Sequence, residues 1–135
     1  MNGQRLVAFL AVLSSIFACG AEEERGRATA AACPDGSKLT YDADIAPIMS
    51  SYCVTCHATT VPDSQRHGAP TDHNFDSLLG LLEEADHVDQ EAGSNGTTTN
   101  TKMPPRGYPA PTLQQRMMLS EWLACNAPAN APHDD

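Results

Sequence analysis

Cys53-Val54-Thr55-Cys56-His57 sets two thiols three residues apart with an imidazole directly after the second. Thiols one helical turn apart can add to the two vinyl groups of a porphyrin. The adjacent His57 then lies beneath the iron as its proximal ligand, so C-x-x-C-H is the pattern of covalent haem attachment. Two other chemistries use the same thiols. In an exported protein a C-x-x-C pair can close as a disulfide or work as a thioredoxin-like redox couple, which asks for a βαβ frame. A structural zinc site needs four ligands, usually in two close pairs. Cys33, Cys125, His67 and His73 offer donors for it without a second paired spacing.

The second motif is Lys102-Met103-Pro104-Pro105-Arg106-Gly107. A thioether is a soft ligand suited to an iron porphyrin, and the Pro-Pro pair stiffens the loop so that one long side chain can be aimed at a fixed point. Met103 follows His57 at a distance that lets a loop and a helix pass around the ring edge. His67, His73 and His87 are the nitrogen alternatives for the second axial position, and His73, beside Asn74 and Phe75, is the one to watch. His133 falls in the tail. Met49, Met117 and Met118 lie in helical apolar stripes and read as core.

A small chain must position these groups. It has 135 residues, 5% aromatics, nine Gly and ten Pro, so its core is short of large side chains and gains from a staple or a cofactor. Eight Lys and Arg against 17 Asp and Glu give a net charge of −9, which excludes nucleic acid as a default partner.

Three helices are predicted. Ile45, Ile48, Met49 and Tyr52 share one helical face, with Asp42 or Asp44 as N-cap and Pro47 confined to the first turn; this helix runs directly into Cys53. Phe75, Leu78, Leu79 and Leu82 form a second stripe behind Asn74 as cap. Thr112 and Gln115 make a capping box ahead of Leu119, Trp122 and Leu123, and Asn126 with Pro128 supplies the stop. The stretches 58–73 and 88–111 read as long loops, and Asn95-Gly96-Thr97 as a turn. No alternating run is long enough for a strand. The fold class is therefore all-α, about three helices with long loops.

Residues 1–18 read as a signal, with Arg5 ahead of an apolar run from Leu6 to Ala18 that is too short for a bilayer-spanning helix of about 20 residues. Residues 19–32 read as a tether, 33–127 as the folded domain and 128–135 as a flexible tail.

The order of helix, C-x-x-C-H, Met-Pro loop and C-terminal helix carrying an aromatic resembles class I cytochrome c from Leu39 to Pro128. Tyr41, Ile45, Pro47, Ile48 and Tyr52 leading into Cys53, and the ending Glu121-Trp122-Leu123-Ala124-Cys125-Asn126-Ala127-Pro128, are similar to small monohaem lipoproteins and cytochrome c-like domains of myxobacterial and planctomycete type. The resemblance implies a small cytochrome c-like fold around one haem c, bound by Cys53 and Cys56, with His57 as proximal and Met103 as distal ligand. Ile16-Phe17-Ala18-Cys19 resembles the bacterial lipobox, which implies an acylated Cys19 and a membrane anchor of several chains. Phe17 departs from the small residue usual there. Gly20 after the cysteine leans towards the outer membrane. Setting aside Cys19, Cys53 and Cys56 leaves Cys33 and Cys125, one near each end of the domain, to form a bridge in an oxidising envelope or to stay as two independent thiols.

The expected function is envelope electron transfer on the periplasmic side: His/Met ligation leaves no open site for substrate, so the protein is read as a carrier rather than an enzyme. Its partners are expected to be redox proteins, with a basic docking surface to match the acidic charge. The alternatives are a haem sensor or peroxidase-like module with a labile distal ligand, and a non-haem thiol or zinc module.

Overall fold

The computed structural model describes residues 26–129; the expected signal, Cys19 and most of the tail lie outside them. Thr40 opens the first helical segment. Its hydroxyl accepts from the Ala43 N–H (3.3 Å) while Asp44 Oδ2 accepts from the Thr40 N–H (2.8 Å). Thr40 is therefore the cap, in place of Asp42 or Asp44, because Asp44 makes the reciprocal bond that closes this first turn. A wide π turn over Tyr41–Ile45 passes into α1, Ala46–Tyr52. Pro47 sits in the first turn of α1, where its missing N–H breaks no helical bond. Ile45, Ile48 and Met49 are buried on the predicted stripe, with Tyr52 packed beside them.

The second stripe departs from its expected geometry. Helix α2 covers only Leu78–Glu83 and is capped by Ser77, whose side chain accepts from the Gly80 N–H. Asn74 is not the cap: its amide donates to the Thr71 carbonyl (2.9 Å) and its side-chain oxygen accepts from Arg66 (3.1 Å). The predicted stripe is kept in part, with Leu78 packed against the core. Leu81 is fully buried, Leu79 is exposed, and Phe75 is buried ahead of the helix, its N–H donating to the His57 carbonyl (2.7 Å). Gly80 is required at this point, since a Cβ there would run into the Asn74 carbonyl.

Helix α3, Ala85–Ala92, occupies the start of the stretch expected to be loop. Its buried face is Val88, Glu91 and Ala92, too polar to register as an apolar stripe. Helix α4, Leu113–Ala124, has the predicted capping box between Thr112 and Gln115. Leu119 and Trp122 are buried, and Asn126, at a φ of 61°, ends it in the left-handed region. Met49 is core as expected, while Met117 and Met118 are only half-buried.

The two ends of the domain clasp. The Tyr41 and Trp122 rings lie 6.0 Å apart, and the Pro128 carbonyl accepts from both the Tyr41 N–H (2.9 Å) and the Trp122 indole (3.0 Å). Cys33 and Cys125 form a disulfide, closing 92 residues of chain. Residues 26–31, read from sequence as tether, run along α3. Thr29 is buried, its N–H and hydroxyl donate to Asp89 (2.7 and 2.8 Å), and its carbonyl accepts from Asn95 (2.6 Å). Short polar side chains replace the apolar periodicity that sequence patterning looks for. The described residues are helical without a strand, apart from an isolated antiparallel bridge between Ser94 and Thr99. No helix among them is long and apolar enough to cross a membrane.

Candidate functional site

Helix α1 delivers Cys53 at its C-cap, and the chain then tightens: the N–H groups of Cys56 and His57 both donate to the Cys53 carbonyl (3.2 and 3.0 Å). Both thiols of the motif are free and half-buried. Burial pushes the Cys53 thiol up to about 12, and the Arg116 guanidinium counters this in part.

His57 is held on two sides. Its ring stacks on Phe75, with centroids 4.7 Å apart, and its Nδ1 lies 3.2 Å from the His73 carbonyl. A carbonyl can only accept, so the proton is on Nδ1 and Nε2 carries the free lone pair. Burial holds His57 below its ordinary range, and the bond to His73 opposes that shift. The neutral ring is the form that can ligate a metal.

Arg66 fixes the carbonyl that His57 uses. Although it is an arginine, it is 3% exposed. Its guanidinium donates to the carbonyls of Ala58 (2.8 Å), Pro70 (2.5 Å) and His73 (2.9 Å), turning the 58–74 loop into a closed cradle. Sequence patterning missed Arg66, because a lone arginine in a polar loop looks like solvated charge.

Met103 sits in the other long loop. Its side chain is 36% exposed, its N–H donates to the Glu91 carbonyl (2.9 Å), and its carbonyl accepts from Arg116 Nη1 (3.0 Å). Arg116, the second buried arginine, also binds the carbonyls of Ala92 and Asn100, each at 2.8 Å. One guanidinium near Cys53 thus connects α3, the methionine loop and α4. The two long loops meet where the His67 and Tyr108 rings approach to 5.9 Å; His67 itself is exposed.

The His73 ring lies nearly parallel to that of His57, with centroids 6.2 Å apart, and meets the His87 ring edge to face at 4.7 Å. His73 Nε2 faces Glu84 Oε2 (3.4 Å) and Asp72 Oδ1 (3.9 Å). His87 Nδ1 faces the same Glu84 oxygen (3.6 Å), and its Nε2 faces Glu91 (3.9 Å). No protein-family model, curated protein or solved structure matches the chain.

Proposed function

We propose that the chain is an envelope electron-transfer protein of cytochrome c-like fold that carries one covalently attached haem c. The observation that carries this reading is the state of His57. Its Nδ1 proton is committed to the His73 carbonyl, so the lone pair of Nε2 is available next to two free thiols. That donor set fits the group: Cys53 and Cys56 would hold it by thioethers, and His57 and Met103 would ligate its iron. When bound, haem supplies a one-electron Fe(II)/Fe(III) couple.

The chain's own residues do the positioning. A carbonyl behind a ligating imidazole fixes its tautomer and orientation and raises its basicity. The His73 carbonyl does this for His57, with Arg66 holding the carbonyl in turn. Arg116 and Glu91 hold the backbone of Met103. The clasp of Tyr41 against Trp122 supports the cytochrome c-like arrangement of N-terminal and C-terminal helices. A thiol pushed up to about 12 is a poor redox nucleophile, which weighs against thioredoxin-like chemistry. Cys33 and Cys125, joined to each other, are removed from any zinc set that needs them.

In this reading a lipid on Cys19 anchors the domain on the periplasmic side, with the outer membrane favoured. The −9 charge favours basic redox partners and salt-sensitive association. The test is the optical spectrum of the full chain, expressed with export in a host that has haem-attachment machinery, beside Met103→Ala. A c-type ferrous spectrum is expected, together with a ferric sulfur-to-iron charge-transfer band that disappears in the variant. Haem without that band in the parent favours the sensor or bis-histidine alternatives; no attached haem after correct export overturns the reading.

A further inference from the structure

We propose that His73, Glu84 and His87 bind one divalent metal ion of the zinc class at a site separate from the C-x-x-C-H motif. Donor atoms from all three lie within 4.8 Å of one another. Glu84 Oε2 stands between the rings, 3.4 Å from His73 Nε2 and 3.6 Å from His87 Nδ1. The two rings meet edge to face at 4.7 Å. The three side chains are 13%, 26% and 28% exposed for His73, Glu84 and His87, shielded enough to be held in place and open enough for an ion to enter.

The donor set selects the ion. Two imidazoles and one carboxylate suit zinc, nickel and copper, whereas calcium and magnesium take oxygen ligands. Three protein donors leave a position for water. The outer shell is also present. The far nitrogen of His87 faces Glu91 Oε1 at 3.9 Å, and Glu91 is buried and accepts from the Gly26 N–H (3.2 Å). A carboxylate behind a ligating imidazole orients the ring and makes it a stronger donor.

The topology gives the ion a structural task. His73 belongs to the loop that Arg66 closes, Glu84 is the joint between α2 and α3, and His87 lies in α3. One ion would therefore pin the loop to the α2–α3 corner. His73 serves both places with different atoms: its ring faces the ion and its carbonyl holds His57. The site does not depend on what His57 itself binds.

Zinc titrated calorimetrically into the full chain, isolated after export, tests the proposal beside Glu84→Gln, His87→Ala and the control His67→Asn. The expected result is one zinc ion per chain whose affinity falls at least about tenfold in E84Q and in H87A and is unchanged in H67N. Zinc is also expected to raise the melting temperature of the parent and not that of E84Q, which nearly preserves the volume of the side chain and so separates ligation from folding. No zinc uptake by the folded parent overturns the proposal. Equal uptake by the parent, E84Q and H87A also overturns it, and moves the ion to other donors such as Cys53 and Cys56.

Discussion

Arg116 Nη1 donates to the Met103 carbonyl at 3.0 Å, so the methionine loop hangs from α4 by a buried charge. The same nitrogen serves Ala92 and Asn100. Burial pulls the Arg116 guanidinium below its ordinary value, and three carbonyls compensate its desolvation. Arg116→Leu leaves those carbonyls without a donor and is expected to cost on the order of 3 kcal/mol, read by urea unfolding of the haem-free chain. If haem is attached as proposed, the same variant is expected to weaken the sulfur-to-iron band while haem stays attached, because Cys53 and Cys56, which would hold it, lie outside the methionine loop. An unchanged band in a destabilised protein would limit Arg116 to a structural role.

Cys53 is expected to be slow towards alkylating reagents. Its thiol is pushed up to about 12 from an ordinary 9.0, which lowers the thiolate fraction at pH 8 by roughly a thousandfold. Iodoacetamide labelling of the haem-free chain, read by mass spectrometry, should proceed at Cys53 at least ~100-fold more slowly than at a free model thiol. Urea should abolish the difference. Rapid labelling in the folded chain would show that Cys53 is not desolvated.

The parts of this molecule that sequence made legible are local ones. C-x-x-C-H is five adjacent residues, and the Thr112–Gln115 box and the Ile45, Ile48, Met49 stripe are each set within two turns of helix, so spacing alone reveals them. Helix α3 was hidden because Glu91 and Ala92 fill a face where apolar periodicity expects large hydrophobes. The α2 stripe is legible in part: Phe75 is buried and Leu78 packs against the core, but Ser77 caps later than Asn74 would, and Leu79 and Leu82 turn outward. Arg66 and Arg116 were illegible for a different reason. Each becomes a core residue only when main-chain carbonyls converge on it, and no residue pattern encodes a main-chain carbonyl such as that of His73. The grouping of His73, Glu84 and His87 likewise exists only after the 58–74 loop folds back on α3.

The Cys33–Cys125 disulfide encloses 92 residues, nearly the whole described domain. In the chain-entropy view a loop of that size restricts the unfolded chain strongly, and its loss is expected to cost ~2–5 kcal/mol. For a domain near 100 residues this corresponds to a melting temperature lower by about 10 °C or more. The double variant Cys33→Ser with Cys125→Ser, compared by thermal unfolding with the oxidised and the reduced parent, checks it. The reduced parent should melt with the variant. Coincident melting of all three would mean that the clasp of Tyr41, Trp122 and Pro128 holds the ends together without the bond.

Asp76 ties the chain just past His57 to the segment that carries Phe75. Its Oδ2 accepts from both the N–H and the hydroxyl of Thr59 (3.1 and 2.7 Å), and the hydroxyl bond is the main reason its carboxyl sits below the ordinary 3.8. The depressed value fixes the sign. The folded state favours the carboxylate, so the stabilisation is fully present above the unfolded value, near pH 4, and is lost as the pH falls through the folded value. Asp76 is exposed, and solvent screening keeps the effect modest. Asp76→Ala is therefore expected to be slightly less stable than the parent at pH 6 and to converge with it in acid, as read by urea unfolding across pH 2 to 6. A gap that persisted unchanged at pH 2 would assign the loss to packing rather than to the charged hydrogen bonds.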